Sequence, residues 1–162
     1  MKNHAFRAVL RAVFLTVAFV TPAVAADSPT IIDANSVDAI LSLAKGFGEV
    51  ELDTDSLGNP LIIGRTNGIK YGIYFHGCEE GKECKDIQFI SGWSGVKLSL
   101  ETINEWNRTQ RFCKALIDQE GDPGLRFPVN IRYGVTSENM EDTMDWWAVI
   151  VKKFKKFMDE NH

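Results

Sequence analysis

An α+β domain with one antiparallel sheet is what this sequence predicts, on three observations. Segments with two-residue apolar periodicity are grouped between segments with helical periodicity, instead of alternating with them as parallel folds require. Asn67-Gly68, a dipeptide in which both residues accept positive φ, stands between two short apolar runs and marks a hairpin. A long amphipathic segment closes the chain after Thr136. The order read is α-β-β-β-β-α-β-β-α, in a single domain over residues 33–160.

Residues 27–32 read as a loose leader. Val37, Ile40, Leu41 and Ala44 share one helical face over 36–45, with Asn35 or Ser36 available as cap and Gly46 and Gly48 as terminators. Strands follow at 49–53, 61–65 and 69–76, the last placing Ile69, Tyr71, Ile73 and Phe75 on one face. The first two are separated by the turn-forming run Asp55-Ser56-Leu57-Gly58-Asn59-Pro60. A loop bounded by Cys78 and Cys84 leads to a fourth strand at 86–90, and a Gly-rich connection at 91–97 carries Trp93. A helix over 100–112, capped by Ser99, has the stripe Leu100, Ile103, Trp106 or Asn107, and Phe112. A short strand at 114–118 and a turn at 119–124 come next. Leu125, Phe127, Val129, Ile131 and Tyr133 then alternate strictly with Arg126, Pro128, Asn130 and Arg132. Pro128 has no N–H to give a ladder, which places that strand near an edge. The last helix starts from Thr136 or Ser137 and buries Met140, Met144, Trp147, Val151, Phe154 and Met158.

Residues 1–26 have the anatomy of a cleaved secretory signal. Lys2, Arg7 and Arg11 precede an apolar run from Ala12 to Val20, and Ala23-Val24-Ala25 offers small residues for cleavage. The expected location is therefore the bacterial periplasm. Removing this segment takes three of the 18 basic residues and none of the 22 acidic ones, leaving a net charge of −7. Such a domain is poorly suited to nucleic acid, and no later apolar run is long enough to insert stably in a membrane.

Export gives the cysteines their meaning. Cys78 and Cys84 are expected to form a disulfide, as thiols in an oxidising compartment do. The alternative is a metal or small-ligand site at the hairpin tip, built from His76, Cys78 and Cys84 with Glu79, Glu80 and Glu83 nearby. Cys113 is left over and reads as a small buried hydrophobe. No catalytic residues and no cofactor are predicted: after the signal only His76 and His162 remain as histidines, and no nucleophile-elbow sequence exists. Trp93, Trp106 and Trp146 are the expected partner-contact residues, since exposed aromatics concentrate at interfaces.

Ile103-Asn104-Glu105-Trp106-Asn107-Arg108, followed by Arg111-Phe112, resembles the signature segment of the YbjN family. Also similar are Asp55…Gly58-Asn59-Pro60, Asn67-Gly68, Phe75-His76-Gly77-Cys78…Cys84, Asp118…Gly121-Asp122-Pro123, Gly134-Val135-Thr136, and Trp147 ahead of Phe154. Together they span residues 36–158. The resemblance implies a curved antiparallel sheet flanked by helices, like type III secretion chaperones, and a sensory transduction regulator without agreed catalytic residues. It also implies a homodimer that grips a protein partner or peptide segment. Cys113 departs from the family pattern, standing where a glycine or another small residue is expected.

Overall fold

Asn67 and Gly68 take φ of 51° and 77°, so the predicted two-residue turn forms as expected, and it sets the register of the sheet's centre. In the computed structural model, which describes residues 28–162, the elements are β1 (Ile31–Ile32), α1 (Val37–Ala44), β2 (Glu49–Thr54), β3 (Pro60–Thr66), β4 (Ile69–His76), β5 (Asp86–Gly92), α2 (Leu100–Thr109), β6 (Lys114–Ile117), β7 (Pro123–Asn130), β8 (Val135–Thr136) and α3 (Ser137–Asn161). A turn of 3₁₀ helix, Lys45–Phe47, extends α1. The predicted secretory segment lies outside the described residues.

Six strands form one antiparallel sheet in the order β2-β3-β4-β5-β7-β6. The fold is α+β. Side chains alternate across the sheet, so one face carries the aligned row Leu52–Ile62–Ile73–Phe89–Phe127, each residue opposite the next. The three helices cover this face. Ile40 and Ala44 of α1, Ile103 and Trp106 of α2, and the α3 seam Met140, Met144, Trp147, Ile150, Val151, Phe154 and Met158 are buried against it. The ring of Trp147 lies 5.5 Å from that of Phe89 and 5.9 Å from that of Tyr71.

Among the described residues no helix lies over the opposite sheet face. Leu61, Ile63, Tyr74 and Ile90 sit there, yet Leu61 is only 7% exposed. Tyr74 explains this. A Cβ on Gly72 would lie 2.7 Å from the Tyr74 ring and 3.3 Å from Leu61, so the missing side chain makes room for the ring to lie flat over the strand.

The same hexapeptide turn occurs twice. In Asp55-Ser56-Leu57-Gly58-Asn59-Pro60, Asp55 Oδ1 accepts from the N–H of Leu57 and of Asn59 at 2.8 and 2.9 Å. In Asp118-Gln119-Glu120-Gly121-Asp122-Pro123, Asp118 Oδ1 accepts from Glu120 and Asp122 at 3.0 and 2.8 Å. Gly58 and Gly121 have φ of 80° and 82°. Each turn delivers a proline as the first residue of a strand, where a missing donor is tolerated.

Several expectations need correction. The predicted element order omits two short strands: residues 31–32, expected as loose leader, pair with Val135–Thr136. Both strands are two residues long, too short for a periodic signal. Strand β7 ends at Asn130, and Tyr133 is 90% exposed in a turn instead of facing the core. Helix α2 ends at Thr109, and Leu100 is 71% exposed. Ser36 occupies the α1 N-cap position, but its hydroxyl turns back to donate to Asp33 Oδ1 at 2.9 Å. Ser99 and Thr136 cap α2 and α3 as expected, accepting from Thr102 N and Asn139 N. Pro128 is opposite Gln88 of β5, but β6 pairs no further along β7 than Arg126, so Pro128 lies where the strand's other side is open.

Candidate binding surface

The hairpin joining β4 and β5 is closed covalently. Cys78 and Cys84 form a disulfide, with the Lys85 N–H donating to His76 O at 2.8 Å just inside it. Glu79 and Lys82 bond each other's backbone at 2.7 and 3.0 Å across the tip. Cys84 is buried and Cys78 half-buried against the core, so the bridge stitches the hairpin to the domain. This overturns the hairpin-tip metal alternative as drawn, because both sulfurs that would have served as ligands are bonded to each other. Glu79, Glu80 and Glu83 remain as an exposed acidic rim.

The tryptophans divide. Trp106 is 2% exposed, wedged against Phe154 and Phe157 at centroid distances of 4.8 and 5.3 Å. It is a core residue, which corrects its expected place on a contact surface: in α2 the inward position belongs to Trp106, and the neighbouring position to Asn107. Trp93 is half-buried against Phe154 at 5.3 Å. Trp146 is 37% exposed and rests on Phe112 at 4.9 Å. Trp93 and Trp146 thus pack on different side chains, Phe154 and Phe112.

Sequence reasoning missed the role of Asn107. Its side-chain amide bonds both backbone groups of Ala115: Nδ2 donates to Ala115 O at 3.0 Å, and Ala115 N donates to Oδ1 at 2.9 Å. Ala115 belongs to β6, the last strand of the sheet, and both of its polar groups point away from β7. Asn107 thus does what another strand would do, and α2 runs alongside to shield the edge. The only signal in the sequence was a polar residue next to the helix's apolar stripe.

Nothing comparable stands beside β2. Among the described residues no strand pairs with the outer side of β2, where only the Thr54 N–H is taken up, donating to Asp53 Oδ1 at 2.8 Å. Its residues alternate strictly: Val50 and Leu52 face the helical side, and Glu49, Glu51 and Asp53 face the other. Leu52 is 49% exposed. Glu49 lies opposite Arg65, whereas Glu51 and Asp53 lie opposite Ile63 and Leu61 and have no ion-pair partner among the described residues.

Titration is perturbed at structural positions. Asp55 is held below the usual carboxylate range by the Asn59 N–H, with the Leu57 N–H, the Asn59 side chain and the charge of His76 adding to it. Asp122 is lowered chiefly by its hydrogen bond from Lys97, 2.8 Å away. Burial pushes the Cys113 thiol up to about 12, so it is a protonated, unreactive group at neutral pH. Its φ of 65° is the left-handed conformation that favours glycine, which is the residue the family resemblance led one to expect there.

With this geometry in view, the comparisons are specific. The profile of the YbjN family, described as "Putative bacterial sensory transduction regulator", matches residues 36–160. The chain belongs to the YbjN family. It is also similar, at 26% identity over 129 residues, to a GDSL esterase/lipase of Arabidopsis thaliana; the match covers 75% of this chain and 34% of that protein. The YbjN-family chain thus spans about a third of that relative's length. No solved structure matches significantly.

Proposed function

We propose that this YbjN-family chain is a non-enzymatic regulatory module of the bacterial envelope that binds a protein segment in extended form. The observation that carries the reading is the asymmetry of the sheet: one edge is plugged by Asn107, and the other is left bare. An open strand edge binds extended chain through main-chain hydrogen bonds. The secretory features of residues 1–26 and the Cys78–Cys84 disulfide support an exported location.

The proposed working form is a homodimer, joined elsewhere than at β2. Two copies of β2 paired with their faces matched would set Glu51 against Glu51, or acid against acid one position along, which is destabilising.

Site-specific photo-crosslinking in cells tests the reading. A crosslinker at Leu52 is expected to trap one defined envelope protein that a crosslinker at Lys114, on the plugged edge, does not. The same products from both positions, or none from Leu52, would refute binding at the β2 edge. Light scattering on the purified mature domain tests the dimer: twice the monomer mass is expected, and a monomer at all concentrations is the opposing result.

A further inference from the structure

We propose that the outer edge of β2 selects a basic strand, one whose Lys or Arg side chains alternate with apolar ones; this rests on the strand-binding reading above. A strand added to β2 continues two rows at once. On the helical side its apolar side chains extend the row Leu52–Ile62–Ile73–Phe89–Phe127, whose outer end is the half-exposed Leu52. On the other side its alternate residues stand directly opposite Glu49, Glu51 and Asp53, with Cβ atoms roughly 4.5–5.5 Å apart. Inside the sheet, Glu51 and Asp53 lie directly opposite Ile63 and Leu61; Arg65 and Lys70 line the same surface as Glu51 without forming an ion pair with it, and Asp53 Oδ1 accepts from the Thr54 N–H at 2.8 Å. Neither has a cation directly opposite on the side already paired, so an incoming strand is placed to supply one. Glu49 is the least demanding of the three, since Arg65 lies across from it, although the Arg65 guanidinium donates to Gly68 O at 3.3 Å.

Register strengthens the selection. Because side chains alternate with period two, a slip of one residue would turn the basic row toward Val50 and Leu52 and the apolar row toward the acids. Only an alternating sequence satisfies both faces, and only a basic one satisfies the acidic face. An acidic or self-derived strand meets repulsion at each of the three positions.

The test uses three synthetic peptides of about ten residues and the mature, oxidised domain. One alternates Lys with Val, one has the same composition with the lysines in a block, and one alternates Glu with Val. Fluorescence anisotropy at low salt reads affinity, and amide exchange locates the site. The alternating Lys peptide is expected to bind about tenfold or more tightly than either control and to slow exchange of β2 amides. In the variant Glu51→Lys/Asp53→Lys the preference should reverse toward the alternating Glu peptide. Equal binding of the blocked and alternating Lys peptides would mean unspecific charge attraction and would overturn the proposal. Equal binding of all alternating peptides at β2 would overturn the charge selection while leaving strand addition intact. No protection of β2 by any peptide would overturn the proposal, with the Leu52 crosslink then deciding separately whether the edge binds protein at all.

Discussion

Asn107 grips Ala115 by both halves of its amide, and this one pair takes up the outward backbone groups at that point of β6. A side chain from α2 takes the place of a strand beside Ala115, whereas among the described residues nothing from another element bonds to the outer side of β2.

Replacing Asn107 by alanine leaves the N–H and C=O of buried Ala115 without partners. Asn107→Ala should lower stability by roughly 1–2 kcal/mol and raise self-association, because unpaired strand edges template further pairing. Chemical denaturation and light scattering check the two effects. Unchanged values in both would show the plug to be idle.

Two glycines should respond differently to the same added methyl. A Cβ at Gly64 would lie 2.7 Å from the ring of Tyr71, which is 4% exposed and enclosed by the core. A Cβ at Gly72 would meet Tyr74 at the same distance, but on the uncovered face, where the ring can swing away. Gly64→Ala should cost roughly 1–3 kcal/mol, the scale of overpacking a core, and Gly72→Ala distinctly less. Equal losses in denaturation would contradict this.

Much of the fold was legible in the sequence. The meander from β2 to β5 was readable because Asn67-Gly68 and the Asp55 turn are local signals with local causes, and α3 because seven turns of periodicity leave little ambiguity. The β1–β8 pair was not, since two residues carry no period. The site was less legible than the fold. A plugged edge depends on where Asn107 meets Ala115, a contact that spacing alone does not reveal, and burial of Trp106 depends on which of two neighbouring positions the helix turns inward.

Cys113 shows how a departure from pattern becomes physical. Its left-handed φ of 65° disfavours any side chain, by roughly 1–2 kcal/mol. Cys113→Gly relieves that strain while losing one small buried group, so it should fold with stability within about 1 kcal/mol of the parent. Cys113→Val should be markedly less stable, since a branched side chain is least tolerated there. A thermal melt in which valine matches glycine would sink this explanation.

Thiol counting separates the three cysteines. Without reductant, the folded domain should alkylate very slowly, since the Cys113 thiol is pushed up to about 12. Unfolding without reductant should release one reactive thiol, and reduction all three. Reduction should also lower stability by about 2 kcal/mol, the loop-entropy scale for a short bridge. Three thiols before reduction would contradict the disulfide.

Acid should destabilise the fold through its turns and caps. Asp122, Asp55 and Glu138 are all lowered in the folded state, by hydrogen bonds from Lys97, from Asn59, and from Glu138's own N–H with Thr136. At Asp33 burial pulls upward, but the bonds from Asn35 and Ser36 outweigh it. A lowered folded value means the stabilisation is present above the unfolded value and disappears as pH falls through the folded one. The melting temperature should therefore hold steady down to about pH 4, the ordinary carboxylate range, and drop below it, with Asp122→Asn showing a shallower drop. A flat profile to pH 2 would count against these assignments.

The most direct measurement is residue-resolved amide exchange on the folded domain, alone and with the alternating Lys–Val peptide. Ala115 should be protected in both states, while the outward amides of Val50 and Leu52 in β2 should exchange freely alone and become protected in the complex. Exchange at Ala115 as fast as at β2, or a β2 edge unchanged by the peptide, would contradict a domain with one closed edge and one that receives a strand.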